Sequence, residues 1–174
     1  MKSAIEGDAR AQFIVGHAFV MGLCGPSDTA IEQGLSWLIR ASGSGDKHAS
    51  FVLGKLYEQG DMVQPSEEQS MAYYKIAAEA GHPAAEHALG MRLLSRRASD
   101  EDLENALYWL GSAASHGDAF SAAVVGFLYA RGMHGVRQQP CLALDWYEAS
   151  ELLGAPFPLD NFRAEVSALT VDEC

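Results

Sequence analysis

Small and apolar residues recur along this chain in a fixed frame. Glycines open equivalent segments at Gly7, Gly45, Gly81 and Gly117, spaced 38, 36 and 36 residues, and Gly154 follows after 37. Each of the first four has a second glycine nine residues later: Gly16, Gly54, Gly90 and Gly126. The residue before that glycine is apolar (Val15, Leu53, Leu89, Val125), as is the one three after it (Phe19, Tyr57, Leu93, Tyr129). A separation of four stacks the two on one face of a helix, so each segment opens with a helix. Glycine inside a helix costs about 1 kcal/mol relative to alanine. Four in register therefore predict a second helix approaching too closely for a side chain.

That second helix has a pattern of its own, a small residue, an aromatic, a large apolar or aromatic residue and another small one. The copies read Gly34, Trp37, Leu38, Ala41; Ser70, Tyr73, Tyr74, Ala77; Ala106, Trp109, Leu110, Ala113; and Ala143, Trp146, Tyr147, Ser150. The aromatic at Trp37, Tyr73, Trp109 and Trp146 is expected to sit in the slot that the small residues leave against the first helix. All length variation falls between the second glycine and the aromatic, which places a loop there. Gly22 to Pro26, Gly60 to Pro65 and Gly132 to Pro140 end one helix on glycine and set proline before the next. Ser66-Glu67-Glu68-Gln69 has the form of a capping box. Arg96 to Asp100 has neither glycine nor proline, so this turn should be the tightest or the least regular.

The fold class predicted is all-α, about eight helices in antiparallel pairs, with repeats over 7–44, 45–80, 81–116 and 117–153 in one solenoid spanning 1–174. A last helix from about Leu159 to Leu169 is expected to cap the stack within 154–174. Ala4-Ile5-Glu6-Gly7 repeats the close of a second helix, Ala78-Glu79-Ala80-Gly81, and Thr170-Val171-Asp172-Glu173 has the form of a capping box. The ends read either as cut from a longer array or as frayed natural termini.

Composition narrows the function classes. With 174 residues, 48% hydrophobic and 20% charged, the chain can bury a core. Its 23 Asp and Glu against 12 Lys and Arg leave a net charge of −11, spread over both halves, which disfavours nucleic acid and anionic lipid. No apolar run approaches the roughly 20 residues of a membrane helix, and Met1-Lys2-Ser3 leads into Glu6, Asp8 and Arg10, not an apolar signal core. A cytoplasmic location is expected, or a periplasmic or secreted one if a leader has been removed. Cys24, Cys141 and Cys174 form no paired spacing of the kind that staples a small secreted fold or closes a zinc site, so ordinary thiols are expected.

The string from Gly7 to Phe19 with Trp37 and Ala41 resembles the Sel-one-like repeat (SLR). So do Gly45-Asp46 with Leu53 to Gly60 and Gly117-Asp118 with Val125 to Gly132. Departures from that family's pattern are Leu93, Arg96, Tyr73 and Ser150. The resemblance covers about residues 4 to 155. It implies a right-handed α-solenoid related to tetratricopeptide arrays, whose first helices line a concave groove that binds proteins or peptides.

Counted from the second glycine, offsets −6, −3, +1 and +4 are assigned to the groove. The first copy offers Arg10, Phe13, His17 and Val20, and the second His48, Phe51, Lys55 and Glu58. The third offers Ala84, His87, Met91 and Leu94, and the fourth Phe120, Ala123, Phe127 and Ala130. Phe13, Phe51, Met91, Leu94, Phe120 and Phe127 are large and apolar where a solvated wall would be polar, which marks an interface. The competing reading makes them inter-repeat core. His17, His48 and His87 fall at three different offsets with no cysteine or carboxylate cluster at ligand spacing, so no metal and no cofactor is predicted. His82, His116 and His134 adjoin turns and are given no special role.

No nucleophile elbow, zinc-protease helix, phosphate loop or dinucleotide fingerprint occurs. Carboxylates such as Glu67-Glu68 and Asp100-Glu101-Asp102 gather at helix starts, where the helix dipole accounts for them. The reading is a non-enzymatic adaptor or regulator that grips a protein segment, neutral or basic where it docks. Phe51, Phe127 and Phe120 would anchor it, and His48, Lys55, Glu58 and Arg10 would set polarity. Two alternatives stay open: an inhibitor or immunity protein that occludes an enzyme or toxin through an edge or convex loops, and a segment of a longer structural solenoid.

Overall fold

A computed structural model describes residues 2–25, 27–96, 99–155, 160, 161, 164 and 166. In chain order the helices are α1 (Lys2–Ile5), α2 (Ala9–Val20), α3 (Asp28–Gly43), α4 (Lys47–Gln59), α5 (Glu67–Glu79), α6 (Pro83–Ser95), α7 (Asp100–Ser115), α8 (Ala119–Arg131) and α9 (Pro140–Leu152), with a 3-10 turn at Met133–Gly135. No strand occurs among the described residues, and none of the helices searched among them is long and apolar enough to cross a membrane. The chain divides into two compact units, Met1–Ala85 and Glu86–Cys174, with the boundary inside α6.

Local chemistry fixes the helix starts. Asp8, Asp46 and Asp118 precede α2, α4 and α8, and each carboxylate accepts from the backbone N–H three residues on. Ser27, Ser66 and Ser99 do the same before α3, α5 and α7, each satisfying a donor the helix leaves open. The expected capping serine at Ser66 is thus in place. Gly60 and Gly132 end α4 and α8 in the left-handed region, where glycine has no steric penalty. The connection from α6 to α7, residues 96–99, is the shortest of the four loops inside helix pairs; its residues 97 and 98 lie outside the described set.

In the first unit α2 packs on α3, α4 on α5, and α3 on α4, while the short α1 lies against α2. Val20, Leu38, Ala41, Ala49, Leu53 and Leu56 form the centre of its core. In the second unit α7 packs on α8 and α8 on α9. Leu94, Ala106, Leu110, Val125, Leu128 and Val136 make one cluster there, and Ala123, Ala130, Ala143, Tyr147 and Val166 a second. The expected terminal helix from Leu159 to Leu169 lies largely outside the described residues. Asp160, Asn161, Ala164 and Val166 are helical, and Val166 is buried on α8 and α9.

The mid-helix glycines mark close approach, as expected, but the side chain that fills the slot is one residue later than the sequence suggests. A Cβ on Gly54 would lie 2.7 Å from the Tyr74 ring, and one on Gly126 would lie 2.8 Å from that of Tyr147. Leu38 and Leu110 stand likewise over Gly16 and Gly90. Leu38, Tyr74, Leu110 and Tyr147 are at most 1% exposed, whereas Trp37, Tyr73, Trp109 and Trp146 are only half-buried. The reason is helical phase. The flanking small residues Ser70 and Ala77 lie four before and three after Tyr74, so the three share one stripe and Tyr73 is turned about 100° off it. The displaced aromatics cover seams instead: Tyr73 stacks on Tyr57 at 5.7 Å, and Trp146 reaches the position of a Gly111 side chain at 3.6 Å.

One cysteine expectation is corrected. Cys141 is disulfide-bonded, while Cys24 is an exposed free thiol. Sequence spacing carries no sign of a pairing made by tertiary contact.

Candidate functional site

In the first unit the first-helix face carries a continuous run of rings. The Arg10 guanidinium lies 4.8 Å over Phe13 and 3.8 Å from the Asp46 carboxylate. Phe13 stacks on His17 at 5.4 Å and leans on His48 at 5.9 Å. His48 meets His82 edge-on at 5.0 Å, and His82 stacks on Phe51 at 4.4 Å with an interplanar angle of 18°. Phe51 then tilts over the buried Tyr74 at 5.9 Å. Five sequence-assigned residues, Arg10, Phe13, His17, His48 and Phe51, are therefore brought together by α2 and α4. Lys55 is exposed on α4. The Glu58 carboxylate accepts from the Tyr74 hydroxyl at 2.5 Å, which ties it to the hairpin seam.

His82 was given no role from sequence, yet it joins His48 to Phe51. Its signal lies in the repeat frame. Asp8, Asp46 and Asp118 hold the capping position in the other copies, and His82 occupies it in the third. Pro83 follows as the first residue of α6, where a missing N–H costs nothing. An imidazole that replaces a capping carboxylate is released to stack on its neighbours.

In the second unit the assigned residues make a cleft rather than a stack. Met91, Leu94 and Ser95 of α6, Phe120, Ala123, Val124, Phe127 and Leu128 of α8, Met133 and His134 of the 3-10 turn, and Tyr147 of α9 enclose about 460 Å³. Met91, Phe120 and Met133 are exposed at its mouth, with 37%, 47% and 42% of their surfaces open, and Arg131 lies over the Phe127 ring at 5.9 Å. Ser95, Val124 and Leu128 fall at first-helix offsets outside the four considered, and Met133, His134 and Tyr147 lie off the first helices, so the sequence frame assigned none of them to this surface. His134 holds its place with φ of 55°, a conformation that needs a reason in a non-glycine residue.

Offset +4 departs from its groove assignment in the first, third and fourth repeats, while Glu58 in the second is exposed. Val20, Leu94 and Ala130 are buried, at 6%, 7% and 4% exposure. The position lies one helical turn after the mid-helix glycine, hence on the stripe that faces the second helix. Leu94 packs with Ala106 and Leu110 and contributes only the cleft's floor. Ala123, at 7% exposure, is likewise largely core.

Polar groups anchor the cleft's neighbourhood. His87 Nδ1 lies 2.8 Å from Ser121 Oγ and 3.3 Å from the Asp118 carboxylate, and its ring meets Phe120 edge-on at 5.3 Å. Burial pushes the His87 pKa below its ordinary 6.5, against a smaller upward pull from the Asp118 carboxylate. Glu86, 1% exposed, accepts from Ser112 Oγ at 2.8 Å and pairs with His116 Nδ1 at 2.9 Å. This arrangement satisfies a buried carboxylate at the end of α7. Serine and imidazole both bond to the carboxylate rather than to each other, so they do not form a nucleophile and its base. No group of three or more His, Cys, Asp or Glu side chains converges to hold a metal among the described residues.

Comparison with known proteins agrees with the repeat frame. The family model for the Sel1 repeat matches residues 9–46, 47–82, 83–118 and 119–154. Chitin synthase regulatory factor 3 of Schizosaccharomyces pombe is 29% identical over 97% of this chain and 22% of its own length. The Arabidopsis thaliana ERAD-associated E3 ubiquitin-protein ligase component HRD3B is 28% identical over 59% of the chain and 17% of its own. The chain thus spans about a fifth of these relatives. A Sel1 repeat protein from Oxalobacter formigenes superposes with a TM-score of 0.74 at 28% identity, over 87% of this chain and 61% of that one. A protective antigen with an SLR fold from uropathogenic Escherichia coli gives 0.72 at 28% identity, over 85% and 31%.

Proposed function

Because the chain belongs to the Sel1 repeat family, we propose that it is a non-enzymatic adaptor or regulator whose first-helix face binds a segment of a partner protein. Sel1 repeat proteins act in protein–protein interaction and regulation. The observation that carries the reading here is the gathering of Met91, Phe120 and Phe127 around one open apolar cleft. Exposed apolar side chains at the mouth of a concave site are what an interface desolvates. In the first unit, the ring run from Phe13 to Phe51 gives the first helices an aromatic surface of their own. With a net charge of −11, the partner is neutral or basic where it docks, and association slows as salt rises.

The inhibitor reading requires the second helices or loops to form the contact surface. The large exposed apolar residues there, Met21, Leu23, Ile39, Met62, Ile76, Tyr108, Leu152 and Leu153, do not line the cleft, which favours the first-helix face. Affinity capture from the native source with the wild type and with Phe51→Ala/Phe127→Ala, checked for intact helical circular dichroism, separates the two. A partner lost with the double variant supports the adaptor reading. A partner held equally by both contradicts it.

A further inference from the structure

Counted from the mid-helix glycine, offsets −5, −2, +2 and +5 form a stripe on each first helix, turned about 100° from the groove offsets −6, −3 and +1. In α4 the first three are Ala49, Val52 and Leu56, which share a core cluster with Leu35, Leu38 and Ala41 of α3, the helix packed on α4. In α8, Val124 and Leu128 pack in the same way with Leu103, Leu107 and Leu110 of α7. In α2 the stripe is Ala11, Ile14, Ala18 and Met21, and here it stays open. Ile14 and Met21 are 57% and 61% exposed, and Ala11 and Ala18 are half-buried. Ile5 and Leu23, at opposite ends of α2, are 73% and 78% exposed. An outermost helix that faces water calls for a polar outer face, and this one is apolar.

We propose that this stripe pairs with its own copy on a second molecule, α2 against α2 about a two-fold axis, in a weak homodimer. Two differences from the other repeats argue for a second copy over a covering helix like α3. Offset +5 is polar and exposed elsewhere, at Gln59, Ser95 and Arg131, so a second helix leaves it in water, whereas Met21 carries the apolar stripe beyond that limit. Offset +2 is Leu56 and Leu128 beneath α3 and α7, and it is Ala18 here. Together these changes make the stripe self-complementary. It reads small, large, small, large at separations of 3, 4 and 3, the spacing of a coiled-coil seam. Antiparallel pairing about an axis level with Gly16 sets Ile14 on the partner's Ala18 and Met21 on the partner's Ala11. Each rung then holds one large side chain against a methyl group, which lets two helices approach closely. The same pairing brings Ile5 of one copy to the end of α2 where the other carries Leu23. Such an isologous contact closes on itself as a dimer.

Charge allows the contact at this edge. Residues 11–27 contain no Asp, Glu, Lys or Arg, although the chain carries a net −11. The axis sets Asp8 and Arg10 opposite Cys24 and Gly22, so no like charges meet. Away from the stripe the two acidic chains repel, and screening by salt therefore strengthens the pairing, the reverse of its effect on a basic partner. The stripe is also a different face of α2 from Phe13 and His17, so the dimer and the groove are independent of each other.

The test is sedimentation equilibrium of the full chain from micromolar to millimolar concentration. The expected result is a reversible rise from 18.7 kDa toward twice that mass, with a Kd of roughly 10–100 µM for so short a seam, tightening as salt is added. Ile14→Glu alters an exposed side chain that the fold does not need and should weaken the dimer about tenfold or more. Ala18→Leu installs the residue that α4 and α8 carry, so it should fold, and it should also weaken the dimer about tenfold by crowding the partner's Ile14. Ile76→Glu, on a side chain 44% exposed on α5, should leave the dimer unchanged. Helical circular dichroism checks each variant. A monomer at every concentration would overturn the proposal and leave the stripe to a helix of another protein. A dimer indifferent to Ile14→Glu would overturn it by placing the contact elsewhere, and one indifferent to Ala18→Leu would overturn the antiparallel pairing.

Discussion

The second and fourth repeats are built on the same glycine–tyrosine slot, yet one presents a filled surface and the other an open cleft. In the second, Phe51 closes over Tyr74 and is itself covered by His82. In the fourth, alanine stands at both positions, and Tyr147 contributes to the cleft wall. In both, the ring lies so close over the glycine that an added Cβ would fall under 3 Å from it. The neighbouring groove position is under no such constraint and has diverged within one chain. Function in such a fold therefore resides in the differences between repeats, and stability in what they hold in common.

The first way to break this comparison is to remove the shared ring. Tyr74→Ala and Tyr147→Ala should each cost about 3–5 kcal/mol, measured by urea denaturation, and by similar amounts because the slots match. Trp109→Ala should cost less than either, since that ring is half-buried. A Trp109 loss equal to that of Tyr147 would return the slot to the residue the sequence first suggested.

The second contrast concerns the rings that differ. Phe51→Ala should cost about 2 kcal/mol, because it strips contacts from Tyr74 and His82. Phe120→Ala, on a ring 47% exposed, should stay within about 0.5 kcal/mol while weakening partner binding. Stability and binding would thus be lost at separate residues.

A third contrast uses buried polarity. Glu86→Ala leaves the Ser112 hydroxyl and the His116 N–H without their acceptor and should cost about 1–2 kcal/mol. Substituting Ser50 with alanine should cost less. It occupies the matching position of the second repeat, where its hydroxyl meets Ser42 Oγ at 2.8 Å and donates to the Asp46 carbonyl at 3.3 Å, both neutral contacts.

The smallest effect is in pH. The His87 pKa lies below 6.5 in the fold, so the folded state disfavours the imidazolium relative to the unfolded chain. Its contribution to stability is complete above pH 6.5 and is lost as pH falls toward the folded-state value. Asp118→Asn keeps a capping side chain but removes the carboxylate that draws the pKa upward. An NMR titration of the His87 ring should show a further fall, and a rise would contradict the assignment.

Much of the fold was readable because its constraints repeat. Glycine at one register, aspartate or serine before a helix and glycine after it each carry a local physical cause, and four copies made the frame visible. The slot residue was misread because the aromatic at Trp37, Tyr73, Trp109 and Trp146 is the more conspicuous side chain, whereas helical phase decides burial. The site was readable in part. Offsets −6, −3 and +1 located Phe13, His48, Phe51, Met91, Phe120 and Phe127 on first-helix faces that come together within each unit. Offset +4 failed at Val20, Leu94 and Ala130, where one turn from the glycine is still the buried stripe, whereas Glu58 at the same offset is exposed. His82, Met133, His134 and Tyr147 come from loops and second helices, and only folding sets them beside those faces.

The central claim, that the first-helix face is where a partner binds, is tested most directly by photo-crosslinking at single positions. Benzoylphenylalanine replaces Phe120, at the cleft's mouth, or Tyr108, 64% exposed on the second helix α7. Crosslinking of the captured partner at 120 and its absence at 108 is the predicted result. A crosslink at 108 with none at 120 would contradict the account and move the binding surface to the second helices.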